Sequence, residues 1–185
     1  MNKPIVTKYR PLIHPNTLFL DRDGVLNELI LRGTVVTSPR ALDEIKLSED
    51  INALNFISDW NLVMVTNQPE IIRGNIDLNF VYETNKLISN KVPINEAYIC
   101  PHQGADNCDC RKPKAGMIDV FRENHLKLNG KECLVGDTRK DMDCATNAKI
   151  PFIACRTKYN AQFLSYNRIF INNLWALQFV LDEIL

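Results

Sequence analysis

Apolar residues in this chain come in short runs that stop abruptly on oxygen-bearing side chains. Thr17-Leu18-Phe19-Leu20 ends on Asp21-Arg22-Asp23-Gly24, Leu62-Val63-Met64-Val65 on Thr66-Asn67-Gln68, and Cys133-Leu134-Val135 on Gly136-Asp137. Such runs, bounded by turn residues, predict buried strands of a parallel sheet. Residues 97–100 and 151–155 predict two more strands, and 168–171 an edge strand. Between them, apolar stripes predict helices. One starts at Ser48-Glu49-Asp50 and carries Ile51, Leu54 and Ile57. A second follows Asp77 and carries Leu78, Val81, Leu87 and Ile88. A third follows Gly116 with Met117, Val120 and Phe121 inward, a fourth covers 140–149, and a last one 173–185. Ser48 and Asp77 are the expected caps, because their side-chain oxygens can accept from unpaired backbone N–H groups of a first turn. The stretch 25–47, with Gly33 and Pro39, reads as irregular. Strands alternating with helices predict an α/β fold, a doubly wound, mostly parallel sheet in a three-layer sandwich. Without repeats or linkers, 1–185 reads as one domain.

Composition narrows the classes. The chain has 22 Lys and Arg against 22 Asp and Glu. That balance argues against a duplex-binding face and leaves a small anionic substrate open. The first sixteen residues are polar, without the apolar centre of a secretory signal. No apolar stretch approaches membrane-spanning length. A cytoplasmic monomer is expected, with no nucleic-acid or membrane partner. Six cysteines are too few for a disulfide scaffold in a chain this long. Cys133, Cys144 and Cys155 sit in apolar segments as small hydrophobes.

Ligands of open parallel sheets bind just beyond the carboxyl ends of the strands. If the three runs are neighbours, Asp21, Asp23, Thr66 and Asp137 converge there. Carboxylates around a hydroxyl and an amide suit a hard cation, magnesium best, together with a phosphate. Asp21 can then attack phosphorus, and Asp23 can protonate the departing oxygen and later take a proton from water. Thr66 and Asn67 offer donors to phosphate oxygens. Lys112 supplies a positive charge, and Arg111 a bidentate fork for substrate. Asp141, one helical turn beyond Asp137, can bond the lysine or a metal-bound water. Cys100, His102, Cys108 and Cys110 form two close pairs of soft ligands, the pattern of a closed structural zinc site. That zinc would order a loop running directly into Arg111-Lys112. A nucleic-acid knuckle is disfavoured by the zero net charge and the lack of interleaved aromatics.

With these residues in hand, the chain resembles the haloacid dehalogenase superfamily. More narrowly it resembles the capless branch of heptose bisphosphate phosphatases and histidinol-phosphate phosphatases. Asp21-Arg22-Asp23-Gly24-Val25-Leu26-Asn27, Thr66-Asn67-Gln68, Arg111-Lys112-Pro113 and Gly136-Asp137 with Asp141-Met142 match its four motifs in order. The resemblance implies Asp21 as nucleophile and Asp23 as acid/base. It implies magnesium on the side chains of Asp21 and Asp137 and the backbone carbonyl of Asp23. It also implies zinc on Cys100, His102, Cys108 and Cys110. Ile72-Arg73-Gly74 resembles the heptose enzymes and makes Arg73 a substrate contact. The short spacing from His102 to Cys108 resembles the histidinol-phosphate enzymes. Pro69-Glu70 stands where the heptose enzymes usually have Ser-Gly, and 29–32 departs from their Asp-His-Gly-Tyr segment. The expected function is a magnesium-dependent phosphatase that removes the 7-phosphate of a heptose 1,7-bisphosphate through an aspartyl phosphate. Histidinol phosphate or another sugar phosphate is the alternative substrate. The rivals from other classes are a zinc-stabilised binding module without catalysis and a signalling receiver domain. With no cap domain expected, the flap 27–47 and the zinc loop must shape the pocket.

Overall fold

In a computed structural model, which describes residues 3–164 and 169–184, the three apolar runs lie side by side. β2 (Asn16–Leu20) pairs in parallel with β5 (Trp60–Asn67) on one side and with β7 (Glu132–Gly136) on the other. β6 (Ile94–Cys100) continues the sheet beyond β5, and β8 (Phe152–Cys155) and β9 (Phe170–Ile171) continue it beyond β7, all parallel. An antiparallel strand, β1 (Ile5–Lys8), closes the far edge against β6. The order of this seven-stranded sheet is β1-β6-β5-β2-β7-β8-β9.

Successive residues of a strand face opposite sides, so a strand buried on both faces is apolar throughout. β2 shows the consequence. Leu18 and Leu20 enter one core with Leu62, Met64 and Ile88, whereas Phe19 enters the other with Val63, Met117 and Phe121. Phe19 and Phe121 meet edge to face at 5.2 Å. The first core lies under α1 (Leu78–Lys91) and α5 (Leu177–Ile184), the second under α2 (Gly116–Asn124) and α3 (Arg139–Ala148). A single turn, α4 (Ala161–Leu164), follows β8. The Asp77 carboxylate caps α1, accepting from the Phe80 N–H at 2.7 Å. No helix among the described residues is long and apolar enough to cross a membrane.

Four local expectations need correction. The segment opening at Ser48 forms a 3-10 helix, Ile51–Phe56, in place of an α-helix. Ser48, the expected cap, lies outside it, and the residue at its start, Asp50, makes no side-chain cap either. Its Oδ2 accepts from the Leu174 N–H at 2.5 Å and its Oδ1 from the Ser48 hydroxyl at 2.9 Å, which ties the segment to the C-terminal region. Within 25–47 a hairpin forms, β3 (Ile30–Arg32) with β4 (Val35–Thr37). Leu87 points outward and is 45% exposed, so the apolar side of α1 is carried by Val81 and Ile88. The closing helix begins as a 3-10 turn at Leu174–Ala176 before continuing as α5. Of the expected edge strand and closing helix, Arg168 and Leu185 lie outside the described residues.

Candidate active site

Because β2, β5 and β7 are adjacent, their carboxyl ends bring Asp21, Asp23, Thr66 and Asp137 to one place. Carboxylate oxygens of Asp21, Asp137 and Asp141 lie within 4.8 Å of one another. Two glycines permit this crowding. A Cβ on Gly24 would stand 2.3 Å from Asp137 Oδ2, and one on Gly136 would stand 2.3 Å from the Asp141 Cβ. Gly24 also has a φ of +95°, a conformation that side chains disfavour. Gly24→Ala is therefore expected to lower the melting temperature through a cost of about 1–3 kcal/mol, and to displace Asp137. Calorimetry on the variant checks this, and an unchanged melting temperature would refute it.

Lys112 is 2% exposed, and its ammonium lies among the carboxylates. Nζ stands 2.7 Å from Asp21 Oδ1 and 2.5 Å from Asp141 Oδ1, and donates to the Val65 carbonyl at 2.9 Å. Burial alone would make Lys112 easier to deprotonate, but the two carboxylates outweigh it and keep the ammonium charged. One ammonium does not balance three carboxylates. Burial, and then the charge of Asp141, pushes Asp21 up to about 7 against the pull of Lys112. Burial, with Asp21 and Asp141 adding to it, raises Asp137 well above the usual carboxylate range.

Asp141 has both oxygens committed, Oδ1 to Lys112 and Oδ2 to the backbone and hydroxyl of Thr138 in a capping box that starts α3. Neither Asp137 Oδ1 nor Asp141 Oδ1 accepts a hydrogen bond, but Asp141 Oδ1 faces the lysine ammonium, whereas Asp137 Oδ1 has no ion pair among the described residues. A buried, unpartnered carboxylate oxygen beside a second carboxylate fits a hard divalent cation. Asp21 and Asp137 are the side chains that suit magnesium, and Asp141 instead aims the lysine.

Asp23 sits in a separate web. The fully buried Arg22 guanidinium bonds both its oxygens at 3.1 Å, Asn27 donates to Oδ1 at 3.0 Å, and Gln68 donates to Oδ2 at 2.7 Å. Burial raises the Asp23 pKa, but Arg22, Asn27 and Gln68 outweigh it and hold the carboxyl below its usual value. The same Gln68 amide donates to Thr66 Oγ1 at 2.9 Å, which leaves the Thr66 hydroxyl hydrogen to donate elsewhere. Asn67 uses its amide on the backbone of Lys112, accepting from its N–H at 3.0 Å and donating to its carbonyl at 3.1 Å. That double bond clamps the lysine-bearing loop to the end of β5. Arg22 and Gln68 had no role in the motif reading. An arginine set between two aspartates at a strand tip was the available signal.

Asp21, Asp23, Asn67, Arg73, Arg111, Lys112 and Asp137 all line one cleft of about 700 Å³, whereas Thr66, 1% exposed, is not among its lining residues. Arg111 donates to the His102 carbonyl at 2.9 Å and so bridges this cleft to the cysteine loop. In that loop Cys100 Sγ and Cys110 Sγ each lie 3.7 Å from Cys108 Sγ. His102 Nδ1 lies 3.6 Å from Cys100 Sγ and 3.3 Å from Cys110 Sγ. A zinc tetrahedron with bonds of about 2.3 Å to sulfur and 2.0 Å to nitrogen has edges of about 3.8 and 3.5 Å. The four side chains therefore stand as zinc ligands would, with His102 contributing Nδ1.

No protein-family model matches the chain. Individual relatives do. The D-glycero-beta-D-manno-heptose-1,7-bisphosphate 7-phosphatase of Bordetella bronchiseptica is 34% identical over 140 residues, which covers 71% of this chain and 75% of that protein. The histidine biosynthesis bifunctional protein HisB of Buchnera aphidicola is 33% identical over 153 residues, 76% of this chain, and the chain spans only 41% of its length. Among solved structures, the D,D-heptose 1,7-bisphosphate phosphatase of B. bronchiseptica, complexed with magnesium and phosphate, superposes with a TM-score of 0.73. The match covers 91% of this chain and 98% of that one at 24% identity. That structure shares the fold, and the sequence match carries the kinship. The carboxylate-tipped strands and the cysteine loop thus belong to a haloacid dehalogenase superfamily member, of the heptose bisphosphate phosphatase branch.

Proposed function

We propose that this chain is a magnesium-dependent phosphatase that removes the 7-phosphate of a heptose 1,7-bisphosphate, working as a cytoplasmic monomer. In this reading it acts as a single domain without a cap. The observation that carries the reading is the pairing of Asp21, fixed by Lys112, with the unpartnered Asp137 oxygen in one cleft. Support also comes from the Bordetella relative and from the magnesium and phosphate of the structural neighbour. Magnesium, held by the side chains of Asp21 and Asp137 and the carbonyl of Asp23, would neutralise phosphate charge as a Lewis acid.

The chain's own residues do the rest. The Arg22 N–H and the Lys112 ammonium both bond Asp21 at Oδ1. Oδ2 is the oxygen proposed to attack phosphorus. As the new bond forms, the ester P–O bond breaks and its electron pair goes to the sugar oxygen, which takes a proton from Asp23. The resting Asp23 is ionised by Arg22; an incoming phosphate dianion beside it raises its proton affinity, so that it takes up a proton from solvent as substrate binds and gives that proton to the sugar oxygen. In the second half, Asp23 takes a proton from water, and the resulting oxygen attacks the aspartyl phosphate and frees Asp21. Lys112 and the Thr66 hydroxyl stabilise the phosphoryl oxygens, and Arg111 and Arg73 hold the substrate.

Histidinol phosphate remains the second reading, favoured by the HisB relative and the short zinc loop. Purified protein supplied with magnesium is expected to release phosphate from heptose 1,7-bisphosphate with a kcat/KM at least about tenfold above that for histidinol phosphate. A preference for histidinol phosphate would overturn the substrate assignment. No release from either would overturn the catalytic reading.

A further inference from the structure

Glu70 stands where this chain departs from the heptose enzymes, and it is not idle. It lies in the turn after β5, 7% exposed, with both oxygens bonded. Oε1 pairs with Arg73 Nη1 at 2.6 Å, while Oε2 pairs with Arg40 Nη2 at 2.7 Å and accepts from Asn75 Nδ2 at 2.6 Å. Arg40 comes from the flap just beyond β4. Its backbone N–H donates to Glu44 Oε2 at 2.7 Å, and the same oxygen pairs with Arg32 of β3 at 2.5 Å. The flap and the turn are thus joined across the cleft, and Arg40, Glu70 and Arg73 all line it.

Two guanidiniums brought this close repel each other, and a single buried carboxylate between them offsets that repulsion and fixes their direction. The trio keeps one net positive charge. Each arginine has five N–H donors and gives Glu70 one nitrogen, so most of each fork stays available, and the two side chains are 38% and 47% exposed. Arginine forks of this kind recognise phosphate oxygens in pairs. Glu70 itself is saturated and offers nothing to a ligand's ammonium, which distinguishes this end of the cleft from a site for a cationic substrate.

We propose that Arg40 and Arg73, aimed by Glu70, form a second anion subsite that takes the non-reacting phosphate on the anomeric carbon of the substrate. This rests on the bisphosphate reading above and adds two residues to it, Arg40 as a ligand and Glu70 as a positioning residue.

The test compares kcat/KM for heptose 1,7-bisphosphate with that for heptose 7-phosphate, in wild type, Arg40→Ala, Arg40→Lys and Glu70→Gln. Arg40→Ala is expected to reduce the preference for the bisphosphate by about tenfold or more, mainly through KM, with partial recovery in Arg40→Lys. Glu70→Gln is expected to reduce it as well, although it adds net positive charge. A purely electrostatic effect would change the preference in the opposite direction, and a merely structural one would affect both substrates alike. Either result overturns the proposal. Calorimetric titration of heptose 1,7-bisphosphate into the Asp21→Asn protein, with and without Arg40→Ala, reads the subsite without turnover. Equal affinities there would overturn it even if the wild type proved inactive. Absence of phosphate release from every substrate would instead overturn the phosphatase reading alone.

Discussion

Asp21→Asn abolishes phosphate release, by roughly three orders of magnitude or more in kcat, and leaves the fold intact. Asparagine keeps an oxygen that can accept from the Arg22 N–H and from Lys112, so local geometry survives while the nucleophile is lost. The same substitution removes a pH trend. In the ion-free protein the Asp21 carboxyl, pushed up by burial and then by Asp141, holds its proton to about 7, against an ordinary value of 3.8. The unfolded chain releases that proton first. The stability contribution of Asp21 is thus complete below pH 3.8 and lost as pH rises through about 7. Asp21→Asn removes that loss, so between about pH 4 and 7 the melting temperature of the ion-free wild type should fall relative to the variant. Magnesium should raise the melting temperature of the wild type more than that of the variant. Persistent turnover in Asp21→Asn sinks the nucleophile assignment, and a wild type that gains stability relative to the variant over this range sinks the electrostatic account.

Loss of zinc is expected to be the second-largest effect. Cys100, Cys108 and Cys110 are at most 2% exposed, and the loop from residue 101 to 115 contains only one short 3-10 turn of its own, Gly104–Asp106. Its order must come from its ends and from the four ligands. Cys110 stands two residues before Lys112, whose backbone is clamped by Asn67, and Arg111 returns to the His102 carbonyl. Cys108→Ser should therefore lower stability by about 3 kcal/mol, on the order of 10 °C in Tm, and also weaken catalysis by releasing Lys112. Metal analysis of protein prepared without chelator should find one zinc per chain. A zinc-free preparation that melts at the same temperature would remove the structural-metal assignment.

Much of this architecture was legible because three strands are apolar on both faces and stop on polar residues. That pattern exposed β2, β5 and β7 and, through them, the convergence of Asp21 and Asp137. Asp141 could be placed near Lys112 because helical periodicity returns it to the same side one turn beyond Asp137. Other features depended on contacts distant in sequence. Ser48 reads as a helix cap, but its hydroxyl donates to Asp50, whose carboxylate is held from across the fold by the Leu174 N–H. Asn67 reads as a phosphate donor, and local pattern gives no sign that its oxygen and one amide hydrogen also clamp a backbone forty-five residues away. The hairpin of β3 and β4 is short and largely exposed, so no buried periodicity announced it. Ile5-Val6-Thr7, a β-branched triplet suited to a strand, was obscured by its polar neighbours.

That triplet has a practical consequence. β1 covers one side of β6, and just past it the Tyr9 and Arg10 N–H groups both donate to the Asn95 carbonyl. A shortened version starting after residue 10 would leave the β6 ladder bare, an invitation to self-association through unsatisfied peptide groups. Purification handles are better joined through a spacer that leaves Ile5 free to dock.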